Sequence, residues 1–426
     1  MATLAGNDAT PIARASGCAG DPSDACVRVP PARRPVRPRL AWWRVRGATV
    51  RAATGRALHP SHRSRVRSAS EISPASRVVG SVEGTVRGPV PCRYRERAML
   101  DADASDGSSR GAAAARGPAF DVEVGPGGYL WWYIDGFDEA SEHAVTVIAF
   151  VGSVFSPAYF RARGRGRAAD PLAHCGLNVV VHGPRANAWV FTEYRGAEVS
   201  RHGDTLALGR SRITRDDRGL VVEIDERTYP WGRPVRGRIR LQAHGWRTQQ
   251  FALDGAGRHM WWPVAPRASI EVDLDAPAMR FVGPGYHDSN RGCEALEQSL
   301  RSWTWSRSNE GDATALLYDV TDRDGVERRL GLRYGPAGID RIEPAVTTSL
   351  GPSRWGLPRS TRSERGDDTR LLRTLVDAPF YARSLYACDR GGASVRGVHE
   401  VVDLDRFART STQLMLPFRI RGVGWF

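Results

Sequence analysis

The sequence predicts an all-β protein, and three observations carry that prediction. From Phe120 onward, short apolar or alternating runs recur, each bounded by Gly, Pro, Asp or Asn. An Asp-Gly turn at Asp324-Gly325 joins two of these runs as a hairpin. Only one stretch, Glu294–Trp303, carries a short-helix pattern, so the strand–helix alternation of a parallel sheet is missing. Many short strands separated by turn residues define barrels or sandwiches.

The first 118 residues stand apart. They are rich in Arg, Ala, Pro, Ser and Gly, with no sustained period of 2 or 3.6, so they cannot bury enough apolar surface to offset ordering. This segment reads as a disordered extension. Its wording also matches translated GC-rich DNA upstream of a true start, for which Met99 is the candidate. All 61 basic residues are Arg, against 47 acids. Residues 1–98 hold 18 Arg and 6 acids, whereas the remainder holds 43 and 41. The net charge of +14 therefore belongs to the N-terminal quarter. A basic arm for nucleic acid or anionic lipid is the weaker reading of that quarter, and no nucleic-acid partner is expected.

The patterned region begins with Gly125-Pro126-Gly127-Gly128, a turn that leads into aromatic residues rather than a helix, and so reads as strand entry. His143–Phe155 is apolar enough for a buried strand. The run Arg161 to Arg167 reads as a basic loop, either solvated or touching lipid headgroups. Short strands at Leu177–His182 and Ala188–Thr192 flank the turn Gly183-Pro184. Arg212–Thr214 and Leu220–Ile224 flank a second turn, and Arg236–Gln242 alternates cleanly. Ser269–Leu274 is a half-buried strand between two motif-bearing segments. Ala313–Val320 and Glu327–Tyr334 form the hairpin. Leu371–Val376, Ser394–Asp403 and Gln413–Gly422 complete the expected strands.

Those two segments, read as loops flanking the strand, the second one Gly-rich (Gly283, Gly285, Gly292), carry the candidate chemistry. One supplies His259, Trp261 and Trp262; the other supplies Tyr286, His287 and Asp288. If they meet, a carboxylic acid, an imidazole and aromatic faces share one pocket. Such a set can give up a proton and stabilise the resulting cation. On composition alone, Asp288 beside Ser289 and Asn290 equally caps a turn, and a lone His beside apolar residues equally packs in a core. His287 either tunes Asp288 or faces solvent, because neighbours on a strand point to opposite faces. Asp135 and Asn178 are second-tier polar candidates. No Walker A loop, G-x-S-x-G elbow or H-E-x-x-H helix is present. The six Cys (18, 26, 92, 175, 293 and 388) form no C-x-x-C pair and suit a reducing cytoplasm. No apolar run approaches the ~18 residues of a membrane span, and the N-terminus lacks the apolar core of a secretory signal.

Several longer strings are more specific: Gly127–Tyr133 (GGYLWWY), Ile148–Pro157 (IAFVGSVFSP), Ala169–Asn178 (ADPLAHCGLN), Arg258–Pro263 (RHMWWP), Gly285–Gly292 (GYHDSNRG), Trp303–Arg307 (WTWSR) and Pro379–Ser384 (PFYARS). On these, residues 119–426 resemble the carotenoid 1,2-hydratases, or hydroxyneurosporene synthases, of photosynthetic bacteria. The resemblance implies two tandem lipocalin-like antiparallel β-barrels, placed at residues 119–290 and 291–426. It implies cofactor-independent addition of water to the terminal double bond of an acyclic carotenoid such as neurosporene or lycopene. It also implies a metal-free site, with Asp288 as proton donor and His259, Tyr286 and Trp261 beside it in catalysis. Trp262, Trp131, Trp132 and Tyr133 are then expected to bind substrate. Peripheral association with the cytoplasmic side of the inner or photosynthetic membrane is expected, in the company of other carotenoid-pathway enzymes. A lipocalin-like isoprenoid cyclase or isomerase, and a non-catalytic carotenoid or lipid carrier, stand as the alternatives.

Overall fold

The computed structural model describes residues 116–422, apart from 141, 166–168, 345, 366–368 and 391. The expected extension, Met99 included, lies outside the described residues except for its last three. Those three are not extension-like: Pro118 accepts hydrogen bonds from Trp132 Nε1 and the Arg215 guanidinium, so it packs on the first sheet.

Twelve antiparallel strands form the first sheet: β1 (Tyr129–Phe137), β2 (Ala144–Val151), β3 (Cys175–His182), β4 (Asn187–Tyr194), β5 (Val199–His202), β6 (Thr205–Leu208), β7 (Ser211–Arg215), β8 (Gly219–Arg227), β9 (Pro234–Ala243), β10 (Phe251–Ala252), β11 (His259–Ala276) and β12 (Ala278–Gly292). Their order is β4-β3-β2-β1-β12-β11-β9-β8-β7-β6-β5, with β10 paired to β11. The sheet curls into a nearly closed barrel. Thr192 and Tyr194 on β4 reach across it to the carboxylate of Glu226 on β8. Its interior is apolar and includes Leu130, Trp132, Ile134, Val147, Val179, Ile239 and Ile270.

The second sheet holds β13 (Leu300–Glu310), β14 (Ala313–Asp322), β15 (Glu327–Gly335), β16 (Gly338–Arg341), β19 (Arg370–Asp377), β20 (Tyr381–Arg390) and β21 (Ala393–Asp403). It runs β16-β15-β14-β13-β21-β20-β19, and β17 (Val346–Ser349) pairs with β18 (Ser360–Ser363) beside it. The chain passes from one sheet to the other between Gly292 and Leu300.

Strand β1 explains how the two sheets are joined. All nine of its residues are buried, because both of its faces are covered. Leu130, Trp132 and Ile134 point into the barrel. Tyr129, Trp131 and Tyr133 point the other way. There they share one apolar cluster with Trp303, Trp305, Leu316, Tyr318 and Val398 of the second sheet. A strand's period of two produces this division without any further device.

The structure departs from the sequence reading in four places. Ser269–Leu274 is the middle of an 18-residue strand, and the Gly-rich stretch after it is strand rather than loop. Its glycines serve close packing: a Cβ on Gly283 would stand 2.1 Å from the Phe137 carbonyl oxygen, and one on Gly292 would stand 2.4 Å from the Tyr129 ring. The expected helix over Glu294–Trp303 shrinks to Leu296–Ser299, because Trp303 and Trp305 alternate onto the shared cluster as strand residues. Conversely, the basic loop begins as a helix, Pro157–Gly164, capped by Ser156, and the end of the chain is helical at Thr410–Met415 rather than extended.

A buried ion cluster pins the sheets together. Asp135 on β1 meets Arg307 on β13 at 2.9 Å and Arg383 on β20 at 2.5 Å. Arg383 also pairs with Glu400 on β21, to which the Tyr133 hydroxyl donates at 2.9 Å. Two guanidinium groups and two carboxylates balance, which is the condition under which buried charges are tolerated. Removing one member strands the others, so Asp135→Ala is expected to destabilise the protein by about 3–5 kcal/mol. Denaturant unfolding monitored by tryptophan fluorescence measures this, and an unchanged midpoint would show that the cluster does not join the sheets.

Candidate active site

Strand β12 carries Tyr286, Asp288 and Asn290 on one face, and β1 sets Asp135, Tyr133 and Trp131 directly opposite them. On the other side, β11 sets Trp261 opposite Asn290. The two motif-bearing segments therefore do meet, by pairing side by side rather than by folding loops together. The register of β11 on β12 slips after Trp262, where Pro263 and Pro266 have no N–H to give the ladder.

Asp288 is buried, and its two oxygens differ. Oδ2 accepts from Trp261 Nε1 at 2.8 Å and from the Tyr286 hydroxyl at 2.8 Å. Oδ1 is buried with no hydrogen-bond partner. Burial pushes the Asp288 carboxyl up to about 8, against the opposing pull of the two hydrogen bonds; the negative charges of Glu400 and Asp135 add to the rise. The acid is therefore protonated at neutral pH. With Oδ2 already accepting twice, Oδ1 is the oxygen that carries the proton. Burial likewise raises the Tyr286 hydroxyl well above its usual range, so it acts as a donor and not as an anion.

Aromatic faces surround this acid. Tyr133, Tyr286 and Trp305 contact one another, with ring centroids 5.2 to 6.0 Å apart. Tyr318 meets Trp261 edge-on at 5.2 Å. Trp131 lies on the same face, stacked on Tyr129 at 5.0 Å.

The remaining candidates fall elsewhere. His259 shares the face of Trp261 but pairs with Gly292, four residues beyond Asp288, or about 13 Å along the strand at ~3.3 Å per residue. Its Nδ1 meets the Tyr129 hydroxyl at 3.0 Å, and its Nε2 lies 3.5 Å from Glu294. It does not touch Asp288, so Trp261 and Tyr286 hold the acid instead. Trp132 points into the barrel, where it donates to Pro118 and packs on Phe120. Trp262, on the opposite side of β11 from Trp261, donates to the Arg247 carbonyl at 2.5 Å. Neither reaches Asp288, because each is the odd neighbour of a site residue on its strand. His287 is fully buried on that barrel side rather than solvent-facing. It bonds to the Tyr133 carbonyl at 2.9 Å, and burial lowers it to about 4. Asp135 belongs to the ion cluster. Asn178 lies on the site face, three strands from Asp288 through Ile148 and Tyr133.

Sequence reading missed Trp305, Tyr318, Asn290 and the buried Arg307, Arg383 and Glu400. The spacing of Trp303, Trp305 and Arg307, alternate residues of one strand, was the available signal for the first of these. Among the described residues, no group of three or more His, Cys, Asp or Glu is placed to hold a metal ion.

A protonated acid held by two donors and walled by aromatic rings belongs to the class of sites equipped to give a proton to an apolar molecule and to shelter a cation. Residues 147–425 match the family model of the carotenoid hydratase CrtC, and the chain belongs to that family. It is 45% identical to an acyclic carotenoid 1,2-hydratase of Thiocapsa roseopersicina, over 75% of this chain and 79% of that one. It is 40% identical to that of Rubrivivax gelatinosus, over 71% and 75%. It is 39% identical to that of Cereibacter sphaeroides, over 66% and 99%.

The raised acid has a consequence for stability. An unfolded Asp ionises near ~3.9, so between there and about 8 the folded chain keeps a proton that the unfolded chain has released. The Asp288 contribution is therefore complete below about 4 and is lost as pH rises to about 8. Against Asp288→Asn, which cannot titrate, the wild-type protein should lose ground across that window in urea unfolding. A gap between the two proteins that does not change with pH would mean that Asp288 is ionised in the fold.

Proposed function

We infer that this protein is a carotenoid 1,2-hydratase, adding water across the terminal C1=C2 double bond of an acyclic carotenoid to give the tertiary 1-hydroxy product. Family membership supports the reaction, and the unpartnered, buried Oδ1 of Asp288 carries the mechanism. That oxygen gives its proton to C2, and the π electrons form the new C–H bond. Positive charge is left on C1, the more substituted carbon. Tyr133, Tyr286 and Trp305 present ring faces to it, each worth up to about 2 kcal/mol when desolvated.

Water then attacks C1. Trp305 Nε1 is a buried donor without a protein partner, suited to hold that water through one oxygen lone pair while the other attacks C1. The oxonium formed loses a proton to the Asp288 carboxylate, which returns to its starting state. Trp261 and Tyr286 stabilise the carboxylate while it exists, through their bonds to Oδ2. The ion cluster leaves no net charge beside the cation. The preferred substrate class is an acyclic polyene such as neurosporene or lycopene. Such a molecule resides in a bilayer, which supports peripheral attachment to the cytoplasmic side of the inner or photosynthetic membrane. No helix among the described residues is long and apolar enough to cross one.

The test is expression in cells that accumulate lycopene or neurosporene, with the extracted carotenoids analysed by mass. Wild type should yield a product heavier by one water. Asp288→Asn should lower turnover by at least about 10²–10⁴-fold, the range for a positioned proton donor. Hydration by the variant at the wild-type rate would remove Asp288 from the chemistry. An isomerised product without added water would establish a cyclase or isomerase instead. In an extract assay, wild-type turnover should fall as pH rises through about 8, where Asp288 loses its proton. A rate that climbs through that pH would identify a base, not an acid, as the limiting group.

A further inference from the structure

We propose that the C-terminal segment formed by the helix Thr410–Met415 and the turn Leu416–Phe418 docks the protein on an anionic bilayer surface, a proposal that rests on the carotenoid reading above. The segment exposes three large apolar side chains while burying two polar ones. Thr412 and Gln413 are 3% and 8% exposed, and Gln413 Nε2 donates to the Phe407 carbonyl at 2.7 Å. Leu414, Met415 and Phe418 are 65%, 42% and 61% exposed. A surface helix shaped only by its own fold turns its apolar side inward. Here Thr412 and Gln413 are inward while Leu414, Met415 and Phe418 reach solvent within five residues.

The charge around this patch selects the occupant. Arg409, Arg419 and Arg421 are exposed beside it, and the sequence has no Asp or Glu after Asp405. Apolar side chains framed by guanidinium groups match acyl chains below anionic headgroups.

The inner side of the segment closes the space between the sheets. Phe407 and Ile420 belong to the apolar cluster that contains Trp261 and Tyr286, and Leu416 packs against it. From there a line of rings leads inward. The Arg419 guanidinium lies 5.8 Å over Trp189. Trp189 meets Phe191 at 6.2 Å, Phe191 meets Phe150 at 5.8 Å, and Phe150 meets Trp131 at 6.0 Å, on the face that carries Asp288. Docking at the segment therefore sets the bilayer at one end of a row of aromatic rings that ends at Trp131, on the site face.

Co-sedimentation of the full chain with vesicles tests this, using phosphatidylglycerol mixed with phosphatidylcholine against phosphatidylcholine alone. Wild type should sediment with the anionic vesicles and be released by salt. The triple variant Leu414→Ser/Met415→Ser/Phe418→Ser should bind at least about tenfold more weakly. Arg409→Gln and Arg421→Gln, at exposed side chains, should each weaken binding about fivefold. Wild type that ignores the vesicles, or variants that bind as wild type does, overturns the proposal. So does a wild-type dimer that the triple variant converts to monomer by light scattering, since a second copy would then cover the patch. Hydration of carotenoid supplied in detergent micelles separates the two readings: activity without vesicle binding sinks only the docking, and vesicle binding without activity sinks only the hydration.

Discussion

Burial of one carboxyl group between two β-sheets governs this site. In water an aspartic acid is a spent donor at neutral pH; in the space between the sheets, desolvation keeps its proton in place at about 8. That space exists because β1 has two buried faces. Its even residues fill the barrel, and its odd residues meet the second sheet. The same alternation on β12 places Tyr286, Asp288 and Asn290 together and sends His287 and Ser289 to the other side. A slip of one residue in register would exchange these sets and remove the acid from the rings.

On the proposed mechanism, the surroundings of Asp288 are arranged around a charge that appears only during reaction. Trp261 and Tyr286 donate to one oxygen and leave the other bare, so the acid is fixed in orientation without being quenched. Permanent charges are close: Arg307 lies 5.6 Å over the Tyr286 ring. Uncompensated, a guanidinium there would oppose a carbocation. Asp135 and Glu400 cancel the two arginines, so the ion cluster can fasten the sheets without setting a positive field at the site. The same two carboxylates add to the rise of Asp288. Structure and acidity thus draw on one set of residues.

The all-β class was legible from strand periodicity, and the core of the site from the aromatic and acidic residues of two segments. Asp288, Tyr286, Trp261, Tyr133 and Trp131 converge on one face. Period alone could have separated Trp132 from Trp131 and Trp262 from Trp261, had both segments been read as strands rather than loops. Glycine density argued for loops, yet Gly283 and Gly292 mark close packing within a sheet. His259 was drawn toward Asp288 by sequence proximity to Trp261, but strand rise keeps them four residues apart along the ladder. The contribution of the second sheet, from Trp305 and Tyr318 to Arg383 and Glu400, was not legible. It depends on which face of β1 that sheet covers, and no local pattern encodes a contact across some 250 residues.

The chemistry proposed for this site requires that Asp288 hold its proton at neutral pH. Infrared difference spectroscopy between wild type and Asp288→Asn, followed through a pH titration, observes this directly. A carboxylic acid C=O stretch is expected in wild type at neutral pH, absent from the variant, and lost with a midpoint near about 8. A carboxylate signal at neutral pH, with the C=O band appearing only near the ordinary ~3.9 of an aspartic acid, would contradict it.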